Sequence, residues 1–201
     1  MDRPVVPFGR PRPERADAAR NREHLLQVAR EMIEELGAEK VTMDGLADRA
    51  GLGKGTVFRR FGTRAGIFAA LLDAEEKIFQ QAAMSGPPPL GPGAAPIDRL
   101  IAYGQARATF LVDHLAVVRA AVDRNNPIPS GVPSLTRLHI HMLLAQARPP
   151  VADLEVLALQ LTAALEGPFL LYLSTAGPLD DAAATALSDG WKSLIDAVCR
   201  P

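Results

Sequence analysis

One cysteine in 201 residues, Cys199, excludes an intramolecular disulfide framework and a zinc site built on paired cysteines. Aromatic residues are also scarce, at 5%. The core must therefore be assembled from Leu, Ala, Val and Ile, a composition that favours packed helices over sheets. No stretch approaches the roughly 18 consecutive apolar residues of a membrane span. The N-terminus is rich in Arg and Pro but lacks the apolar centre of an export signal. These absences point to a cytoplasmic chain that does not meet the membrane. Signatures of catalysis are missing too: there is no Gly-x-Ser-x-Gly elbow and no glycine-rich phosphate loop followed by Lys-Ser/Thr. His139 and His141 stand two apart on a predicted helix, project about 200° from one another and cannot share an ion. No metal, cofactor or catalytic group is expected.

What the chain does have is apolar content, 48% of residues, and an almost balanced charge of −1. The balance is uneven along the chain. Residues 1–66 hold 13 basic and 10 acidic side chains (+3), and residues 67–201 hold 9 and 13 (−4), which together return −1. The basic excess lies in the first third, where an anionic partner would be met.

Within that third, residues 42–61 read TMDGLADRAGLGKGTVFRRF. Thr42 is a good N-cap, and Met43, Leu46, Ala47 and Ala50 recur at helical spacing as one apolar stripe. Gly51 can take the left-handed conformation that closes a helix, Leu52 can plug the corner, and Gly53 permits a tight restart. The second short helix turns Val57 and Phe61 inward and Lys54, Thr56, Arg59 and Arg60 elsewhere, with Arg64 just beyond and no acidic residue in the run. Two short helices joined by a glycine turn, the second basic and exposed, make a helix-turn-helix whose second helix fits a DNA major groove.

Through Thr42, Leu46, Ala47, Ala50, Gly51, Leu52, Gly55, Val57 and Phe61, the segment resembles the DNA-binding motif of the TetR family of bacterial transcriptional regulators. Four positions depart from that pattern: Gly53 replaces a capping Ser, Phe58 a Tyr whose hydroxyl meets a phosphate, Arg60 a His or Tyr, and Arg64 a Lys. The resemblance implies phosphate contacts from Thr42, Lys54, Arg60 and Arg64, a changed contact at Phe58, and positions near base edges for Gly55, Thr56 and Arg59. It further implies an all-α homodimer, with an N-terminal three-helix bundle followed by a helical domain for ligand binding and dimerisation. Its partners would be a double-stranded DNA operator and a small-molecule effector, and repression the usual outcome.

The remaining periodicity supplies boundaries. Residues 1–16 read as an arm, 17–66 as the DNA-binding domain and 67–201 as the second domain. A first helix from about Asp17 carries the stripe Leu25, Val28, Ala29, Met32, Ile33 and Leu36. Thr63 caps a long helix to about Met84 that would link the domains mechanically. Residues 85–96 form a Gly/Pro-rich loop, and helices are predicted at about 97–113, 115–124, 134–148, 151–174 and 180–199.

On the helix from Ile97, Tyr103, Arg107, Phe110 and His114 recur at i, i+4, i+7 and i+11. They either line a pocket for an aromatic or anionic ligand, with Arg119, Met142, Phe169 and Tyr172 as further lining, or form a polar seam satisfied by neighbours such as Glu166. The last two helices are apolar on two faces. On the first, Leu165 and Leu170 fall on opposite sides. On the second, Leu187, Trp191, Leu194 and Val198 make a heavy face, and Ala186, Gly190, Ser193 and Ala197 a light one. Leu165, Leu170, Leu187, Gly190, Trp191, Leu194 and Val198 are the expected dimer contacts, unless one protomer covers both faces itself. Two other readings stay open: a DNA-binding protein whose second domain only dimerises, and a helical-bundle enzyme using Glu166 as a buried acid near His114.

Overall fold

A computed structural model describes residues 13–121, 135–173 and 181–200, with the side chains of 13–16, 170–173 and 181 excepted. Among these residues there are nine α-helices, one short 3-10 turn and no strand. The chain divides into two compact units, Met1–Leu71 and Leu72–Pro201.

In the first unit α1 (Pro13–Leu36) begins four residues before the expected start. Pro13 suits a first turn, because its fixed φ is already helical and its missing N–H would have no partner there. Gly37, at φ 85°, ends α1 and leads into a 3-10 turn, Ala38–Lys40, that periodicity did not reveal. In α2 (Met43–Ala50) the Thr42 hydroxyl oxygen accepts the Gly45 N–H at 3.0 Å. Gly51 takes φ 64°, and the Leu52 N–H closes the turn on the Ala47 carbonyl at 3.0 Å, a hydrogen-bonded left-handed helix end. In α3 (Lys54–Phe61), Gly53 caps without a side-chain bond, as its identity requires. α4 (Arg64–Ser85) is capped by Thr63, whose Oγ1 accepts the Gly66 N–H at 3.1 Å. Leu25, Leu26, Val28, Ala29, Met32, Val41, Leu46, Ala47, Val57, Ile67 and Phe68 are buried. The α1 stripe is thus shifted by a fraction of a turn: Leu26 is inside and Leu36 is exposed.

The second unit is organised on α5 (Pro96–Asp113), against which α6 (Leu115–Ala121), α7 (Leu135–Ala147), α8 (Leu154–Leu173) and α9 (Asp181–Cys199) pack. α8 starts three residues later than expected. Asp153 Oδ1 accepts the N–H groups of Glu155 and Val156, both at 3.0 Å, and so sets the cap. On α8, Ala158, Leu161, Leu165 and Phe169 are buried, whereas Val156, Leu159 and Ala163 are exposed. On α9 the heavy positions Trp191 and Ile195 are buried, and the light positions Ala186, Gly190, Ser193 and Ala197 face out. No described helix is long and apolar enough to cross a membrane.

α5 and α9 meet at Gly104. A Cβ built there would lie 1.9 Å from Trp191 Nε1, and that same nitrogen donates to the Leu100 carbonyl at 3.1 Å. Gly104→Ala should therefore push the helices apart and break a buried hydrogen bond. The expected cost is about 3 kcal/mol or more, combining overpacking with a stranded indole donor. Trp191 is the one tryptophan, so its fluorescence in urea titrations reads the loss directly, as a lowered midpoint and red-shifted native emission.

Candidate nucleic-acid interface and interior polar cluster

α3 is placed by what it buries. Val57 is fully buried and Phe61 half-buried, so the opposite face of the helix must look outward. That outer face carries Lys54, Gly55, Phe58, Arg59 and Arg60, all exposed, with Thr56 half-buried beside them. Phe58 is 64% exposed, an unusual position for a phenyl ring. Lys54 pairs with Asp44 of α2 at 2.8 Å, and the Asp44 hydrogen bond raises its pKa, so it stays cationic. Arg59 lies back along its helix, Nε donating to the Gly55 carbonyl at 3.3 Å. Arg60 Nη2 reaches α1 and donates to the Ala18 carbonyl at 3.0 Å. A Cβ at Gly55 would meet nothing within 4 Å, and its φ is unremarkable, so nothing inside the unit requires glycine there.

Arg64 departs from expectation. Read from the sequence as a phosphate contact, it is instead part-buried. Its Nε donates to the Val41 carbonyl at 2.7 Å, Nη2 donates to the Ala38 carbonyl at 2.6 Å, and the guanidinium lies 4.8 Å from the Phe68 ring centroid. It pins the 3-10 turn to the start of α4. The departure has a physical reason: the Val41 carbonyl after the 3-10 turn and the Ala38 carbonyl, which also accepts the Val41 N–H at 3.2 Å, both lie within reach of one planar donor set on the next helix. Arg49, on the last turn of α2, holds Glu35 of α1 through two nitrogens at 2.7 and 2.5 Å and keeps that carboxyl below its usual range. Sequence reading also missed that Asp17, Ala18 and Asn21 of α1 border a cleft with Thr56, Arg59 and Arg60. The apolar periodicity of α1 carries no sign of this polar side.

The sequence profile described as "Bacterial regulatory proteins, tetR family" matches residues 25–71, the span from mid-α1 into α4 that holds this geometry. Over that span the chain is similar to the TetR family. An HTH-type transcriptional regulator of Staphylococcus aureus (strain USA300) is 29% identical over 65 residues, 32% of this chain and 35% of that protein. The match thus spans about a third of the curated relative. A TetR-family regulator from Pectobacterium atrosepticum superposes with TM-score 0.64 at 19% identity, covering 93% of this chain and 98% of that one. The structure titled Flavonoid-responsive Regulator FrrA superposes with TM-score 0.52 at 20% identity, covering 91% and 98%. These likenesses are of fold, and the proteins concerned are named as regulators, not enzymes.

In the second unit, three of the four residues spaced along α5 engage one another and their neighbours. Arg107 pairs with Glu76 of α4 at 2.5 Å and Glu166 of α8 at 3.5 Å, and its guanidinium stands 5.5 and 5.0 Å from the Phe79 and Phe110 rings. His114 stacks on Phe110 at 4.3 Å, with Nδ1 2.7 Å from the Phe110 carbonyl. Tyr103 is fully buried and stacks on His139 at 4.4 Å, with Thr136 and Gln80 the polar side chains nearest its hydroxyl. The Arg107–Glu166 pair is the contact that the seam alternative expected. Glu166, the buried acid of the enzyme reading, is half-buried and paired with Arg107.

A cavity of about 200 Å³ lies instead between α5, α8 and α9, bordered by Leu111, Leu165, Phe169, Leu187, Gly190, Trp191 and others, all uncharged. That corrects the dimer list. Leu165 and Trp191 are buried within the unit, and Leu194 and Val198 pack against its core, because the heavy face of α9 is used up on α5. Of the expected ligand contacts, Phe169 reaches this cavity and Met142 packs on the core. Arg119 is half-buried on α6. The side chains of Leu170 and Tyr172 lie outside the described residues.

Two outcomes follow. Arg64→Gln should lower the urea stability of the first unit by about 2 kcal/mol, since two buried-side carbonyls lose charged donors; a variant that changes DNA affinity alone, with stability intact, would contradict the structural role. Burial first, and then the charge of Arg99, lowers the His139 pKa from 6.5 to about 4. As pH falls below about 6.5 the unfolded chain takes up that proton and the folded chain does not, so stability held above 6.5 is lost progressively down to about 4. The slope from this group is at most about 1.4 kcal/mol per pH unit. Melting curves of His139→Phe across pH 4–7 should lack that component.

Proposed function

We propose that the chain is a ligand-responsive transcriptional repressor that binds a palindromic operator as a homodimer. The observation that carries the DNA-binding part is the outer face of α3. It is a short basic helix with two arginines and an exposed phenyl ring, and with an open glycine in its first turn. Phosphate contacts from Lys54, Arg60 and the cap at Thr42 would position the helix, and Thr56 and Arg59 would stand at base edges. Phe58 offers an apolar surface to sugar or a thymine methyl where a hydroxyl would offer a hydrogen bond.

Support for the dimer comes from α8 and α9, where Val156, Leu159 and Ala163 and the small row Ala186, Gly190, Ser193 and Ala197 are exposed. Helices with small outward residues approach closely, and a two-fold pairing would set two recognition helices on successive turns of one DNA face, roughly 34 Å apart. The uncharged cavity supports an apolar, uncharged effector. Its volume exceeds the roughly 150 Å³ of an engineered cavity that takes up benzene. An aromatic effector is what the name of the flavonoid-responsive neighbour gives for that protein. The paired state of Arg107 favours, as a second reading, a helical domain that dimerises without a ligand.

The test is fluorescence anisotropy of the purified protein with its own upstream DNA and with a scrambled duplex, at two salt concentrations and with a panel of small aromatic compounds. Specific binding at one dimer per pair of half-sites, released by a compound, is the expected result. Equal binding to both duplexes would sink the operator, and release by nothing in the panel would favour the dimerisation-only domain. Gly55→Ala separates fold from function. It should leave the first unit as stable or up to about 1 kcal/mol more stable, since alanine is the better helix former. Operator affinity should nevertheless fall at least severalfold, as a methyl group intrudes where the backbone approaches DNA.

A further inference from the structure

Between the early turns of α1 and the outer face of α3 lies a cleft of about 420 Å³ bordered by Asp17, Ala18, Asn21, Thr56, Arg59 and Arg60. We infer that this cleft seats a backbone phosphate of the DNA strand flanking the major groove, and that Asn21 of α1 is one of its contacts. The inference rests on the DNA-binding reading of α3 and adds to it a site on another helix.

Three features carry it. The first is chemical: Asn21 and Arg60 present N–H donors at the cleft, and such a pair suits an anion with several acceptor oxygens. The one acid in the lining, Asp17, is paired with Arg20, which mutes its repulsion. Second, Arg60 is pre-positioned. Its Nη2 is held by the Ala18 carbonyl at 3.0 Å, so the guanidinium forms a wall of the cleft before any ligand arrives, and less side-chain freedom is lost on binding. No carboxylate pairs with Arg59 or Arg60 among the described residues. Third, size and place agree. The volume is an order of magnitude above the roughly 30 Å³ of a water molecule, enough for a phosphate with part of its sugar. If α3 occupies the groove, the helix beside it stands over the strand that borders the groove, not over base edges.

Asn21 is exposed and touches nothing that the core needs, so its variants should fold. It is also neutral, which gives the contact a distinctive signature. Asn21→Ala should weaken binding by about tenfold on operator and scrambled duplex alike while leaving the salt slope unchanged, because no cation is removed. Asn21→Asp should weaken both more strongly, by placing a carboxylate against the phosphate. Arg60→Gln should weaken both and lower the salt slope by about one unit. The measurement is anisotropy titration of the full chain at 50 and 200 mM salt, with circular dichroism melts to verify folding. If Asn21→Ala and Asn21→Asp both bind like the parent while Arg60→Gln does not, the cleft holds no phosphate and the inference falls alone. If Asn21→Ala weakens only the operator, the residue serves sequence readout and the phosphate assignment falls. Failure of the parent protein to bind either duplex would bring down the DNA-binding reading together with this one.

Discussion

An eight-residue helix has little stability of its own, because the nucleation cost is spread over too few hydrogen bonds. α3 is such a helix, and everything proposed for the N-terminal unit depends on its being held from outside. Val57 anchors it from beneath. The left-handed end at Gly51 fixes the direction of entry. Arg60 ties its far end to the Ala18 carbonyl. Arg64 binds the start of α4 to the 3-10 turn after α1. Lys54, Arg59 and Arg60 face outward, while most of the fold's own polar needs are met by a different set: Arg49 with Glu35, Arg64 with two carbonyls, and Thr42 and Thr63 at helix starts. Charge alone did not separate the two sets.

The contrast explains what could be read in advance. Helix positions, the turn and the inward stripe of α2 and α3 follow from glycine placement, capping residues and 3.6-residue periodicity, all local properties. Arg64 was misassigned because its role is non-local: a carbonyl 26 residues earlier in the chain cannot be seen from the spacing of arginines. Asn21 was overlooked for the same reason. An isolated polar residue on a helix has no periodic signature until a neighbouring helix turns it into the side of a cleft.

The C-terminal unit repeats the lesson with packing. The double apolar character of α8 and α9 was legible, and the division into heavy and light faces holds in the structure, with Trp191 and Ile195 inside and Ala186 and Gly190 outside. Which face is buried within the unit was not legible, since that depends on where α5 lies. Gly104 decides it. The missing side chain lets the Trp191 indole reach the Leu100 carbonyl, and that contact commits the heavy face of α9 to its own unit. A large aromatic on an amphipathic helix is more readily assigned to an interface than to a niche made by one glycine 87 residues earlier in the chain, because the niche exists only after folding.

The proposed response to a ligand needs an element that both units share, and α4 is that element. It begins in the first unit at Arg64, bound to the Ala38 and Val41 carbonyls, and continues into the second, where Glu76 pairs with Arg107 and Phe79 packs on Tyr103 and Phe110. A ligand that rearranged the packing of α5 would therefore act on Glu76 and Phe79, and through them on the helix that carries Arg64. Coupling of this kind requires a difference in ligand affinity between two arrangements of α4, and the ion pair at Arg107 supplies a contact that such arrangements would make or break.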